Sequence, residues 1–351
     1  YLTGNGVKPE MPAAVRWFRK AAAAKHGGAL SRIGAFYEFS PYAIGSKPSE
    51  KALQQAAEYY RKASEAGDVE GTSNYATMLQ GGRGIKQDLV QAEAAYIRCL
   101  KLDPGHGRAH NNLAVLYQQK LRTLVTTVDH AAAREYRRKM LEHYEAAAKA
   151  RISIAAYNLG ILYYEGLLVL QDIRRAYAYL EEAAGAGLAQ AHFSLGVIHE
   201  DGIGVPITLT EAAYHYRLAA LEGHQEALRR LANFYITGRG VSPDLERAVF
   251  WLRQMAKYGD VRALPIMVDV MLRQADYAAA VPLLKQFKDS NNRFLSGYAY
   301  DRLAICYAQG LGVNKNLDRA LKYSDLAAEH GNGDALNRQA MDLVAAGKIT
   351  E

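Results

Sequence analysis

Residues 231–259 read LANFYITGRGVSPDLERAVFWLRQMAKYG, and the same grammar returns along the chain at a fixed step. Gly166, Gly202, Gly238 and Gly310 fall 36, 36 and 72 residues apart. Gly187, Gly223, Gly259 and Gly331 keep that step. So do Ala176, Ala212, Ala248 and Ala320, then Leu159, Leu195, Leu231 and Leu303, then Val169, Val205, Val241 and Val313. A period between about 20 and 50 residues marks a stacked repeat array.

The unit from Ala189 to His224 shows what one period builds. Ala191, Leu195 and Ile198 recur at helical spacing and form an apolar stripe. Small residues beside the leucine (Gly160, Gly196, Ala232, Ala304) admit a second helix at close range. Gly202-Ile203-Gly204 stops the first helix, because glycine enters the left-handed conformation without a steric penalty. Val205 then reads as a plug between the helices. Thr208, like Asp88, Asp172, Asp244 and Asn316 in other units, is of the type that caps a following helix. That second helix carries Ala212, Tyr216, Ala219 and Ala220 and ends at Gly223. Tyrosine, 24 residues in all, recurs beside the loop (Tyr163, Tyr235, Tyr307) and in the second helix (Tyr59, Tyr96, Tyr179, Tyr323), mostly as core. One hairpin cannot bury its own stripes, so neighbours stack and the expected fold is an all-α solenoid.

The pattern Leu-Gly-x-x-Tyr-x-x-Gly-x-Gly-Val-x-x-Asp-x-x-x-Ala, then Ala-Ala-x-x-Gly, resembles the Sel1-like repeat, a relative of the tetratricopeptide repeat. Leu231 through Gly259 carries nearly all of it. Lys101-Leu102-Asp103-Pro104 with Ala109 through Tyr117 looks more like an ordinary tetratricopeptide junction. The resemblance implies a right-handed superhelix and a non-catalytic scaffold or adaptor in an envelope, secretion or membrane-associated complex. It also implies that positions two, five, nine and twelve of each first helix face a concave groove, with the unit's leucine as position seven. These are Ile154, Tyr157, Ile161 and Tyr164; Gln190, Phe193, Val197 and Glu200; Glu226, Arg229, Asn233 and Ile236; and Tyr298, Asp301, Ile305 and Ala308. The candidate partner-binding residues are Tyr157, Ile161, Tyr164, Phe193, Arg229, Asn233, Tyr298 and Arg302. Aromatic anchors suit a protein or peptide partner. Arg229 and Asn233, with Arg302, resemble part of a carboxylate clamp, although Ile266 stands where its middle Asn belongs. Two alternatives stay open: Tyr157 and Phe193 pack between repeats instead, or the tyrosines stack on a polysaccharide or peptidoglycan-type ligand.

About nine hairpins are expected, at 1–28, 29–68, 69–106, 107–151, 152–188, 189–225, 226–261, 262–293 and 294–332, with a further first helix at 333–346. The array is less regular before residue 152. Phe39 to Ser46 and Gln118 to Val128 read as insertions between helices, and Asp129 as the cap of a long helix. The unit at 262–293 lacks the glycine loop, with Gln274 and Asp276 in its slots, and Pro265 requires a late helix start. Tyr1 through Val7 overlays Tyr235 through Val241, so the chain is expected to begin within a repeat and to be a piece of a longer one.

Composition fits that reading: 50% apolar and 23% charged residues are ordinary for a folded chain. The net charge of +7 is diluted, because basic Arg134 to Arg151 also holds Glu135, Glu142 and Glu145, so no nucleic-acid partner is expected. No run reaches the roughly 18 apolar residues of a membrane span. Cys99 and Cys306 lie too far apart in sequence to staple a repeat, read as buried apolar residues, and fit either the cytoplasm or the periplasm. His192 and His199, next to Glu200 and Asp201, lack His-Glu-x-x-His spacing, and His106 and His110 fall on a turn and its helix. No nucleophile elbow, phosphate loop or Ser-x-x-Lys motif is present, and Glu181-Glu182 is solvated helix surface. No enzyme activity, metal or cofactor is expected.

Overall fold

The computed structural model describes residues 11–39, 48–124 and 130–338 of the 351-residue chain. Among the described residues there are seventeen complete α-helices, a further helical stretch at 333–338, and no strand. They fall into two compact units that divide between Leu188 and Ala189. The first holds α1 (Met11–Ala23), α2 (Gly27–Phe39), α3 (Glu50–Glu65), α4 (Val69–Gly81), α5 (Leu89–Leu102), α6 (Gly107–Leu124), α7 (His130–Lys149), α8 (Ser153–Glu165) and α9 (Ile173–Gly185). The second holds α10 (Ala189–Asp201), α11 (Leu209–Leu221), α12 (Gln225–Thr237), α13 (Leu245–Lys257), α14 (Ala263–Arg273), α15 (Tyr277–Phe287), α16 (Arg293–Gln309) and α17 (Leu317–Glu329). Within each unit every helix packs on the next, and first helices of successive hairpins also meet: α2 with α4, α4 with α6, and α14 with α16. Each unit is therefore an α-solenoid of stacked antiparallel hairpins.

The glycine step is a backbone step. Gly166, Gly202, Gly238 and Gly310 all lie at φ between 67 and 78°. Each N–H closes the preceding helix, as in Gly238 to Phe234 O at 2.8 Å. The loop then returns: Asp172, Thr208, Asp244 and Asn316 donate their N–H to the carbonyls of Tyr163, His199, Tyr235 and Tyr307 at 2.9–3.0 Å. Gly240, at φ 66°, is tighter, since a Cβ there would lie 2.1 Å from Leu209 O. Asp88, Asp172, Asp244 and Asn316 accept cap bonds as expected. Thr208 does not. Its hydroxyl donates to Pro206 O at 3.1 Å, leaving α11 without a side-chain cap.

Close approach of the paired helices follows from the small-residue slot. A Cβ on Gly160 would meet Leu180 at 2.7 Å, and one on Gly196 would meet Tyr216 at 2.5 Å. Two side-chain devices then recur across several of the hairpins. In one, an aromatic of the first helix stacks on an aromatic of the second: Tyr37 on Tyr59, Tyr117 on His143, Tyr163 on Tyr179, His199 on His215 and Tyr307 on Tyr323, with centres 5.6–6.1 Å apart. In the other, a buried tyrosine hydroxyl donates to an acid or amide near the end of the first helix. These bonds are Tyr60 to Glu38 (2.7 Å), Tyr96 to Gln80 (2.9 Å), Tyr144 to Gln118 (2.7 Å) and Tyr216 to Glu200 (2.6 Å).

Several expectations need correction. Tyr59, Tyr179 and Tyr323 are half-buried ladder rungs rather than core, while Tyr60, Tyr96, Tyr144 and Tyr216 fill the interior. Among the valine plugs only Val169 is buried; Val205, Val241 and Val313 are half-buried because the loop carries them to the rim. Gln118 to Leu124 is not inserted loop but the end of α6, anchored by buried Leu121. Phe39 likewise ends α2, whereas 40–46, 125–129 and most of the expected final helix lie outside the described residues, and so does Asp129. Ala275, at φ 56°, takes the left-handed turn after α14 in place of glycine, and Pro265 occupies that helix's first turn.

Candidate functional site

In the first unit, α8 carries Tyr157, Ile161 and Tyr164, all half-buried. The same positional count applied to α2, α4 and α6 leads to a cavity of about 460 Å³ that was not foreseen. Gly28, Ser31 and Ala35 of α2 line it at positions two, five and nine, and Glu70 of α4 and Arg108 of α6 both stand at position two. Arg32 and Asn74 add polar groups beside them. Arg108 is ion-paired with Glu70, which also lies 3.3 Å from His106 Nε2. Arg32 is exposed and forms no ion pair among the described residues. Asn111, at position five of α6, is 8% exposed, and its Oδ1 lacks a hydrogen-bond donor among the described residues. The periodic signal that would have reached these residues fades before residue 152, where the glycine step is broken.

In the second unit the candidate residues are more engaged. The Phe193 ring stacks on His224 at 4.4 Å and meets Tyr216 at 5.7 Å, against the core of that unit. Arg229 Nε donates to Glu226 Oε2 at 2.9 Å, and this bond raises the guanidinium pKa. Tyr298 donates to Asp269 Oδ1 at 2.6 Å, so α16 is tied to α14, and burial followed by that carboxylate pushes its pKa up. Arg302 lies over the Tyr298 ring at 5.3 Å with Nε 3.6 Å from Asp269. Asn233 is exposed. Glu200, counted at groove position twelve, is buried instead. It accepts from Tyr216 and Arg230, each at 2.6 Å, and lies 3.1 Å from Arg239. The count failed there because a carboxylate at a helix end turns toward the three donors around it.

Neither cysteine is poised for chemistry: burial pushes the Cys99 thiol up to about 11 and raises Cys306. Among the described residues, no group of three or more His, Cys, Asp or Glu could hold a metal, and no helix is long and apolar enough to cross a membrane. What the arrangement offers is a set of first-helix faces that carry polar and aromatic side chains.

The Sel1 repeat family profile matches residues 1–26, 29–68, 69–94, 153–188, 189–224, 225–260 and 297–332, more than half of the chain. No curated protein matches the sequence. Among solved structures, similarity extends to a protective antigen of uropathogenic Escherichia coli strains that displays an SLR fold. It has 24% identity and a TM-score of 0.67, over 94% of this chain and 67% of that one. A Sel1 repeat protein from Oxalobacter formigenes is similar over 79% of this chain and 94% of its own, at 23% identity and a TM-score of 0.51. At these identities the likeness concerns the fold.

Proposed function

The chain belongs to the Sel1 repeat family, and on that premise we propose that it is a non-catalytic scaffold that holds a protein or peptide partner on its first-helix faces. Sel1-repeat and tetratricopeptide-like proteins are generally protein-interaction scaffolds. The observation that carries the reading is the cavity over α2, α4 and α6, which opens on the side that the positional count selects. Tyr157, Ile161 and Tyr164 continue that face in the first unit. In the second unit Phe193, Arg229, Asn233, Tyr298 and Arg302 are its counterparts. The proposed setting is an envelope, secretion or membrane-associated assembly.

The test is affinity. A partner recovered on the immobilised protein is titrated against Tyr157→Ala/Tyr164→Ala and Arg32→Ala variants whose helical content by circular dichroism is unchanged. Buried aromatic anchors cost roughly 2 kcal/mol or more on truncation, so loss of the tyrosines lowers affinity about thirtyfold or further. Undiminished affinity in the folded variants contradicts the proposal. So does a glycan array that alone gives binding, which would move the reading to a carbohydrate ligand.

A further inference from the structure

Two hairpins, one in each unit, carry the same pair of histidines. His110 of α6 faces His143 of α7 with Nδ1 to Nδ1 at 2.8 Å, and His192 of α10 faces His215 of α11 at 3.1 Å. Their places in the repeat coincide. Each first-helix member lies three residues before the position-seven leucine (Leu113, Leu195), and each partner directly precedes the buried tyrosine (Tyr144, Tyr216). Ring centres are 5.0 and 5.4 Å apart, close to the nitrogen separation plus a ring radius on each side, so the rings meet tip to tip. A shared metal needs lone pairs that converge on a third point. Tip-to-tip rings instead place one proton between two nitrogens.

His110 fixes how that proton is shared. Its Nε2 lies 3.0 Å from Pro104 O, an acceptor, so Nε2 carries hydrogen and Nδ1 of the neutral ring presents its lone pair. His143 therefore donates from Nδ1. A first added proton leaves the bond intact, because one ring of the pair still presents a lone pair to the other's N–H. A second puts N–H against N–H and two positive charges at contact distance.

We propose that the two pairs are acid-sensitive latches, each holding its two helices together while at least one ring is neutral and releasing them when both are protonated. The surroundings favour the neutral form. From α6, His143 is faced by His110 and the Tyr117 ring, with Lys139 and Glu142 nearest on its own helix. From α10, His215 is faced by His192 and the stacked His199 ring, with Tyr214 edge-on from its own helix. Burial, then the facing histidine, holds both His143 and His215 down to about 4. An unfolded histidine titrates near 6.5. Between those values the unfolded chain binds more protons, so stability is complete above about pH 6.5 and drains as pH falls toward 4.

The experiment is thermal unfolding of the whole chain from pH 7.5 down to 4.5, for wild type and for His143→Gln/His215→Gln. The wild-type midpoint falls across this range, and the double variant loses at least half of that fall. Some slope persists from His224, whose Nδ1 accepts the cap bond from Ala227 and whose burial holds its pKa down. An equal fall in the two proteins overturns the proposal. Should the variant not fold, nitrogen-15 histidine NMR on the wild type decides. Two strongly separated titration steps per pair support the latches, and four independent titrations near pH 6.5 refute them.

Discussion

At the residue scale, the fold rests on positions where a side chain is forbidden rather than on those where one is favoured. Gly240 and Gly259 both have positive φ, at 66° and 85°, yet their surroundings differ. A Cβ on Gly240 would collide with Leu209 O at 2.1 Å, whereas one on Gly259 would meet nothing within 4 Å. Gly259→Ala should cost only the left-handed strain, about 1–2 kcal/mol. Gly240→Ala adds overpacking and should cost about 3 kcal/mol or more. Thermal midpoints of the two variants check the difference, and equal shifts would mean that the loop is not wedged against α11. Periodicity made these glycines legible in the sequence. It could not show the role of Glu200, because that depends on Arg230 and Arg239, which lie 30 and 39 residues further on in the next repeat.

At the scale of helices and hairpins, ends are set by caps and by small residues. Asp244 accepts the Arg247 N–H at 2.9 Å, so Asp244→Ala should lower stability by about 1 kcal/mol. Thr208→Ala, at the equivalent position, should change it by no more than a few tenths, since no cap bond is lost. Thermal unfolding of the pair checks this, and a comparable loss at Thr208 would contradict the geometry. The hairpin pattern was readable from glycine and cap residues, including the proline-delayed start of α14. The reach of α6 to Leu124 was not, because an insertion that keeps a helical stripe looks like a loop when only the 36-residue step guides the eye. The tyrosine bonds to an acid or amide are kept across such insertions. Tyr60 to Glu38 and Tyr144 to Gln118 span 22 and 26 residues, yet they make the bond that Tyr216 to Glu200 makes across 16.

At the scale of the whole molecule, apolar stripes that no single hairpin can cover force stacking, and within each unit stacking sets first helices side by side. The Sel1 repeat identity and all-helical architecture were therefore legible early. The candidate site was legible only as a rule for counting positions. That rule reaches the cavity at Ser31, Glu70 and Arg108, but it cannot tell a free side chain from one already engaged, such as Tyr298 on Asp269. The most direct measurement is hydrogen exchange on the chain with and without a partner recovered from pull-down. The account predicts slowed exchange along first helices such as α2, α4, α6 and α8, with second helices unchanged. Slowing confined to α3, α5, α7 and α9, or to their counterparts in the second unit, would contradict it.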